Sequence, residues 1–115
     1  MHQTIFTSES LTTNTSRDVN VFNATKINLM AQVTFTTQTE STFILVQAIS
    51  IANDFVATLK TYELKPTESA SDGVLTVADV LDVEPVSAIR ITAINNDSTV
   101  VTLDVDIETS EAVLC

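Results

Sequence analysis

Three carboxylates near the carboxyl end of the chain have the type and spacing that could bind a metal ion. Asp104, Asp106 and Glu108 alternate with apolar residues, so in an extended strand they lie on one face. Oxygen ligands of this kind suit Ca²⁺. Neighbouring carboxylates on one strand face stand roughly 7 Å apart, and a single row does not enclose an ion. We therefore favour a solvated sheet face and keep calcium binding as the weaker expectation.

Catalytic chemistry has few candidate residues in this sequence. His2 is the only histidine and lies at the start of the chain, so a histidine-centred acid–base arrangement is hard to build. The single glycine, Gly73, excludes a glycine-rich phosphate loop. Aromatic residues make up only 5% of the chain and are spread singly, which favours core packing, with Tyr62 the one expected to reach a surface. We predict neither an enzyme nor a bound cofactor.

The elements that position these residues show a period of two. Ile27 to Phe35 and Leu103 to Ile107 alternate apolar and polar side chains, as half-buried strands do. Residues 43–46 are apolar on both faces, which indicates a central strand or one covered on both sides. Residues 77–82 fit either the end of a strand or one helical turn. The pattern predicts an all-β fold, an antiparallel β-sandwich or jelly roll of about eight strands with little or no helix.

The predicted strands and their inward side chains can be stated residue by residue. The strands are expected at residues 2–6, 19–23, 26–37, 42–51, 55–64, 74–78, 87–95 and 99–108. The side chains expected to point inward are Leu29, Val33, Phe35, Phe43, Leu45, Phe55, Leu59, Ile89, Ile91, Leu103 and Val105.

Two turns read as hairpins, because Asn and Asp tolerate the backbone conformations of tight turns. Asn53-Asp54 precedes the strand beginning at Phe55, and residues 95–98 join the last two strands. If the second hairpin forms, Arg90 is expected to pair across it with Asp104 or Asp106.

The stretch from Ser8 to Arg17 is polar and rich in Ser, Thr and Asn. We expect a single domain over residues 1–115 in which residues 8–17 form a flexible loop or arm. An arm of this kind can order on a neighbouring subunit, so Ser8, Leu11, Asn14 and Arg17 are the candidate assembly residues.

The charge balance bears on the partners. Fifteen acidic and five basic residues give a net charge of −10, which disfavours nucleic acid and anionic membranes. Charged residues make up only 17% of the chain and mean hydropathy is +0.27, which favours burial against a partner subunit. The start of the chain lacks the pattern of a signal peptide, and no apolar run approaches the ~20 residues of a membrane helix. The protein is expected to be made in the cytoplasm and not secreted.

From Thr42 onward the sequence resembles a small β-sandwich found among tailed-phage virion proteins. The resemblance lies in the strand Phe43–Ala48, the turn Asn53-Asp54-Phe55 and the Pro-x-x-x-Ile-Arg-Ile-Thr-Ala-x-Asn strand at Pro85–Asn95. It covers about two-thirds of the chain.

The resemblance implies a capsid decoration (cement) protein, often trimeric, that docks on the major capsid protein or another virion protein. The implied location is the virion, after synthesis in the host cytoplasm. The tryptophan usual in this family near residues 53–58 is absent. The competing interpretation is a ligand-binding module, such as a carbohydrate- or receptor-binding head of a phage tail.

Overall fold

The computed structural model describes residues 2–21, 24–50, 55–83, 88–97 and 99–111. Eight strands lie in these ranges: β1 His2–Leu11, β2 Asn14–Asn20, β3 Ala24–Thr34, β4 Thr42–Ser50, β5 Phe55–Leu64, β6 Val74–Asp82, β7 Ala88–Asn95 and β8 Val101–Glu111. The helical content of the described ranges is one short 3₁₀ turn at Pro66–Glu68. No helix in this part of the chain is long and apolar enough to cross a membrane.

The strands form two four-stranded antiparallel sheets. The first sheet has the order β1-β8-β3-β6 and the second the order β2-β7-β4-β5. Only β4 and β5 are neighbours both in sequence and in a sheet; every other connection crosses between the sheets. Eight strands arranged in this way make a jelly roll, so the predicted fold class is confirmed.

The core lies between the sheets, where the inward side chains of both meet. Strand alternation supplies these side chains, because every second residue of β3, β7 and β8 is buried. Burying a Val, Leu or Ile side chain contributes roughly 1.5–3 kcal/mol. The predicted inward positions are confirmed for Leu29, Val33, Phe35, Ile89, Ile91, Leu103 and Val105.

The inward prediction is wrong for β4 and β5. Ile44 and Val46 face the core, so Phe43 and Leu45 lie on the outer face of the second sheet, half-buried. Because β4 is apolar on both faces, alternation could not show which face is inner. The other two wrong positions, Phe55 and Leu59, are exposed on β5.

The predicted loop or arm at residues 8–17 is replaced by strands. Ser8 belongs to β1, where two register shifts let an irregular strand pair with β8, and Ser8 itself has φ of 45°. Leu11 ends β1 in the core, and residues from Asn14 to Arg17 begin β2. Polar composition misled the prediction, because both strands lie at sheet edges, where one side of the backbone and many side chains meet solvent.

Two further local predictions are corrected. β6 runs as a strand to Asp82, so the helical turn at residues 77–82 does not form. The β7–β8 connection is not a hairpin, since its two strands belong to different sheets. The β4–β5 hairpin is confirmed by direct pairing, although Asn53 and Asp54 lie outside the described residues.

Asp97 ties together loops at one end of the sandwich. Its carboxylate accepts hydrogen bonds from the backbone N–H groups of Thr39, Glu40 and Thr99, at 2.9, 3.1 and 3.1 Å. Those bonds hold the pKa of the Asp97 carboxyl well below its usual range. The buried Asn95 side chain completes the junction by donating to the carbonyl oxygens of Leu11 and Thr99. Within the predicted turn, Asn95 and Asp97 thus connect the end of β7 to Leu11 of the first sheet and to the loop at Thr39 and Glu40.

Candidate docking surfaces

The predicted carboxylate row lies on the outer face of the first sheet. Asp104, Asp106 and Glu108 alternate with buried residues of β8, as the sequence requires. Asp104 Oδ1 accepts a hydrogen bond from the backbone N–H of Ser8 at 2.8 Å, and Asp106 Oδ2 is 3.8 Å from His2 Nε2. In the described part of the chain, no three His, Cys, Asp or Glu side chains gather closely enough to hold a metal ion. The row is open to solvent and does not form a closed calcium shell.

A shallow groove of about 500 Å³ runs beside this row across β8, β3 and β6. Met30 and Val80 are 56% and 55% exposed in it, which is unusual for large apolar side chains on a sheet face. The residues that line the groove are His2, Asn28, Leu29, Met30, Ala78, Asp79, Val80, Asp106, Ile107 and Glu108.

Asp79 links the two sheets at the groove's edge. The phenol of Tyr62 donates a hydrogen bond to Asp79 Oδ2 at 2.8 Å. Burial and this bond raise the pKa of Tyr62 above its ordinary value, and the same bond lowers the pKa of Asp79. Tyr62 is therefore a buried cross-sheet tie, and the expectation that it reaches a surface is wrong.

The outer face of the second sheet carries a polar network beside apolar side chains. Arg90 binds Asp18 of β2 through two bonds, Nε to Oδ1 at 2.7 Å and Nη2 to Oδ2 at 3.2 Å. The hydrogen bond from Arg90 lowers the pKa of Asp18. Gln47 lies 3.5 Å from the hydroxyl oxygens of both Thr58 and Thr92. Phe43 and Leu45 lie in the same face, half-buried.

The predicted partner of Arg90 is wrong because of topology. Asp104 and Asp106 lie on β8 in the first sheet, whereas Arg90 lies on β7 in the second. Asp18 is directly opposite Arg90 in the β2–β7 register. The predicted cross-strand ion pair exists, but with a strand that the sequence had placed partly in a loop.

The four candidate assembly residues do not share one surface. Ser8 and Leu11 belong to the first sheet, Asn14 and Arg17 to the second, and Leu11 is buried. The Cζ atom of the exposed Arg17 side chain lies 5.4 Å from the centre of the Phe6 ring, a cation–π contact.

Strand β5 presents an apolar edge that the sequence analysis assigned to the core. It lies at the edge of the second sheet, so one side of its backbone has no strand partner in the described structure. Residues 55–61 are all exposed, and residues 55–59 carry no charge. Phe55 is 70% and Val56 47% exposed. A high apolar content in a strand with no Lys, Pro or Asp before Lys60 was the signal available in the sequence.

The other three edges are protected in ways that β5 is not. β1 is distorted by two register shifts, and β2 carries Arg17 and Asp18. β6 carries Asp79 and Asp82 among its apolar residues. Bulges and charges of this kind discourage edge-to-edge pairing.

No protein-family model matches the chain, and no curated protein is significantly similar to it in sequence. Its fold is similar to solved structures. The SPBc2 prophage-derived protein YomS aligns with a TM-score of 0.54 at 10% identity, over 96% of this chain and 92% of that one. The C-terminal family 6 carbohydrate-binding module of LamC from Zobellia galactanivorans aligns with a TM-score of 0.55 at 13% identity, over 95% and 88%.

A viral capsid protein shares the same fold. Infectious bursal disease virus VP2, in its subviral particle, aligns with a TM-score of 0.55 at 9% identity over 96% of this chain and 33% of VP2. At these identities the likeness shows the jelly-roll fold alone. The similar structures include binding modules and structural proteins.

Proposed function

We propose that this chain is a non-enzymatic structural protein of a virus particle, a decoration protein that forms homo-oligomers and docks on the capsid shell. The observation that carries the proposal is the exposed, uncharged edge of β5. A second subunit laid against this edge would cover its apolar side chains and satisfy its free backbone groups. Each square ångström of apolar surface so covered contributes about 25 cal/mol.

Assembly is proposed to use the β5 edge and not the arm that was expected at residues 8–17. Ser8, Leu11, Asn14 and Arg17 stay in strands that the fold itself needs, whereas the exposed half of β5 contributes little to the core. A β5–β5 contact alone would join two subunits about a two-fold axis, so a trimer needs a second contact surface. The trimeric state and docking on the major capsid protein or another virion protein stay in the proposal through the resemblance to phage virion proteins alone. The likeness in fold to a prophage-derived protein and to a capsid protein supports a location in the virion. Synthesis in the host cytoplasm is a further part of the proposal.

Native mass spectrometry of three proteins tests the assembly surface. Val56 and Val100 are 47% and 46% exposed, but only Val56 lies on the β5 edge. We expect the wild-type protein to be oligomeric, Val56→Glu to be monomeric because a charge would be buried in the interface, and Val100→Glu to remain oligomeric. A monomeric wild-type protein, or equal behaviour of the two variants, contradicts the proposal.

A carbohydrate-binding module is the second candidate function. It is favoured by the outer face of the second sheet, where the half-buried ring of Phe43 lies in one face with the side chains of Gln47, Thr58 and Thr92. An aromatic ring beside amide and hydroxyl groups can stack on and hydrogen-bond to a sugar. The fold likeness to carbohydrate-binding modules supports it.

Titration calorimetry with laminarin and cellotriose tests this alternative. Binding that is lost in Phe43→Ala but kept in Val56→Glu would favour the module over the decoration protein. If neither sugar binds at millimolar concentration, the carbohydrate candidate fails.

A further inference from the structure

The groove on the first sheet is built from two rows of side chains that cross three strands. In one row Asp106 lies opposite Met30, and Met30 lies opposite Ala78. In the next, Glu108 lies opposite Asn28, and Asn28 lies opposite Val80. Side chains directly opposite each other have Cβ atoms roughly 5 Å apart. The groove thus has carboxylates on its β8 side, Met30 and Asn28 on its floor, and the apolar Ala78 and Val80 on its β6 side.

The charge of the groove is negative and only partly compensated. His2 Nε2 is 3.8 Å from Asp106, and it is cationic only when protonated. Among the described residues, Lys26 is the other cationic side chain on this face, and its Nζ atom lies 3.7 Å from Oδ1 of Asp82. Asp79 is committed to the phenol of Tyr62. Asp106 and Glu108 therefore leave carboxylate oxygens directed at solvent beside exposed apolar surface.

We propose that this groove binds a lysine- or arginine-bearing segment of a partner protein. The aliphatic stem of the basic side chain would lie on Met30 and Val80, while its cationic head would lie between Asp106 and Glu108. Long basic side chains combine these two parts, and a charge-assisted hydrogen bond to a carboxylate is stronger than one between neutral groups. The inference names the chemistry of the docking partner, and it rests on the proposed function only for the claim that a capsid shell supplies the segment.

Other occupants fit the groove less well. An anionic partner is repelled by the carboxylates and by the net charge of −10. A wholly apolar segment would cover Met30 and Val80 but would desolvate the carboxylates without pairing them. A small inorganic cation would leave the apolar surface of Met30 and Val80 exposed.

A short peptide of alternating lysine and alanine is a suitable probe, with binding measured by calorimetry and located by NMR shift mapping. Glu108→Gln removes a groove charge, and Glu68→Gln is its matched control, since Glu68 is an exposed glutamate in the 3₁₀ turn at Pro66–Glu68 and does not line the groove. Glu108→Gln and Met30→Gln should each weaken binding roughly tenfold, a difference of about 1.4 kcal/mol. Glu68→Gln should leave the affinity unchanged.

Three results would overturn the inference. Equal losses in Glu108→Gln and Glu68→Gln would mean that the peptide senses only net charge. Unchanged affinity in Met30→Gln would show that the apolar surface of Met30 does not contribute to peptide binding. Equal affinity for spermidine would show a simple polyamine site. The same calorimetry is carried out on Val56→Glu, whose substitution lies outside the groove. Peptide binding and assembly are thus measured independently, so a failure of peptide binding does not count against assembly through β5.

Discussion

Neighbouring residues of β4 should respond very differently to truncation. Ile44 is fully buried, opposite Tyr62 and Ala93 on the inner face, whereas Leu45 is half-buried on the outer face. Ile44→Ala removes three carbon groups at ~0.8 kcal/mol each, or about 2.4 kcal/mol of transfer free energy. The cavity left in a packed core raises the expected loss to roughly 2–5 kcal/mol. Leu45→Ala leaves no enclosed cavity and should cost about 1 kcal/mol or less.

Urea unfolding followed by far-UV circular dichroism measures both losses in free energy of unfolding. The slope with denaturant should stay constant, because neither change alters the surface exposed on unfolding by much. If Leu45→Ala costs more than Ile44→Ala, the inner and outer faces of the second sheet are assigned the wrong way round, and equal large losses would show that both faces are packed. Equal small losses would show that β4 does not border a packed core.

Three other measurements test contacts that join separate strands and loops. Gly73→Ala should destabilise by roughly 1–3 kcal/mol, because Gly73 has φ of +82° and an added Cβ would lie 2.3 Å from the carbonyl oxygen of Phe35; a neutral effect in thermal melting would contradict this geometry. Asp97→Asn should lower the free energy of unfolding at neutral pH and should make that free energy depend less on pH in the acidic range. The folded pKa of Asp97 lies below the unfolded value near 4, so the contribution is present above that pH and lost as pH falls; parallel pH profiles for wild type and variant would refute the role. Tyr62, the only tyrosine, should not ionise at its ordinary pH near 10 in an ultraviolet titration. Its raised folded pKa makes the protein lose stability above that pH, and an unshifted titration would argue against the bond to Asp79.

The strands of this fold were predictable wherever one face is polar. In β3 and β8 strict alternation identified both the strand and its inner face, including Leu29 and Leu103. In β4 the sequence is apolar on both faces, so the strand was found but its orientation was not. The exposed edge of β5 was missed for the same reason, because Phe55 and Leu59 are of residue types that usually lie in the core.

The pairing between distant strands could not be predicted from the sequence. Turn residues at 95–98 favour a hairpin, but which sheet each flanking strand joins depends on packing of the whole chain. The partner of Arg90 could not be predicted for the same reason, since Asp18 lies 72 residues away in sequence. The Asp104–Asp106–Glu108 face was predicted correctly, while the groove beside it needs Met30 and Val80 from two other strands.

The position of β8 between β1 and β3 has a consequence for how the protein comes to be made. In the described structure β1 pairs only with β8, so the first of these eight strands to be synthesised has no strand partner until the last one has been made. At roughly 5–20 residues per second, the interval between His2 and Val101 lasts on the order of 5–20 s. During that time all four strands of the second sheet can be complete while their inner face has only β3 and β6 to cover it. The core between the two sheets can therefore close only after residues 101–111 have been made, and until then the inner face of the second sheet is incompletely covered.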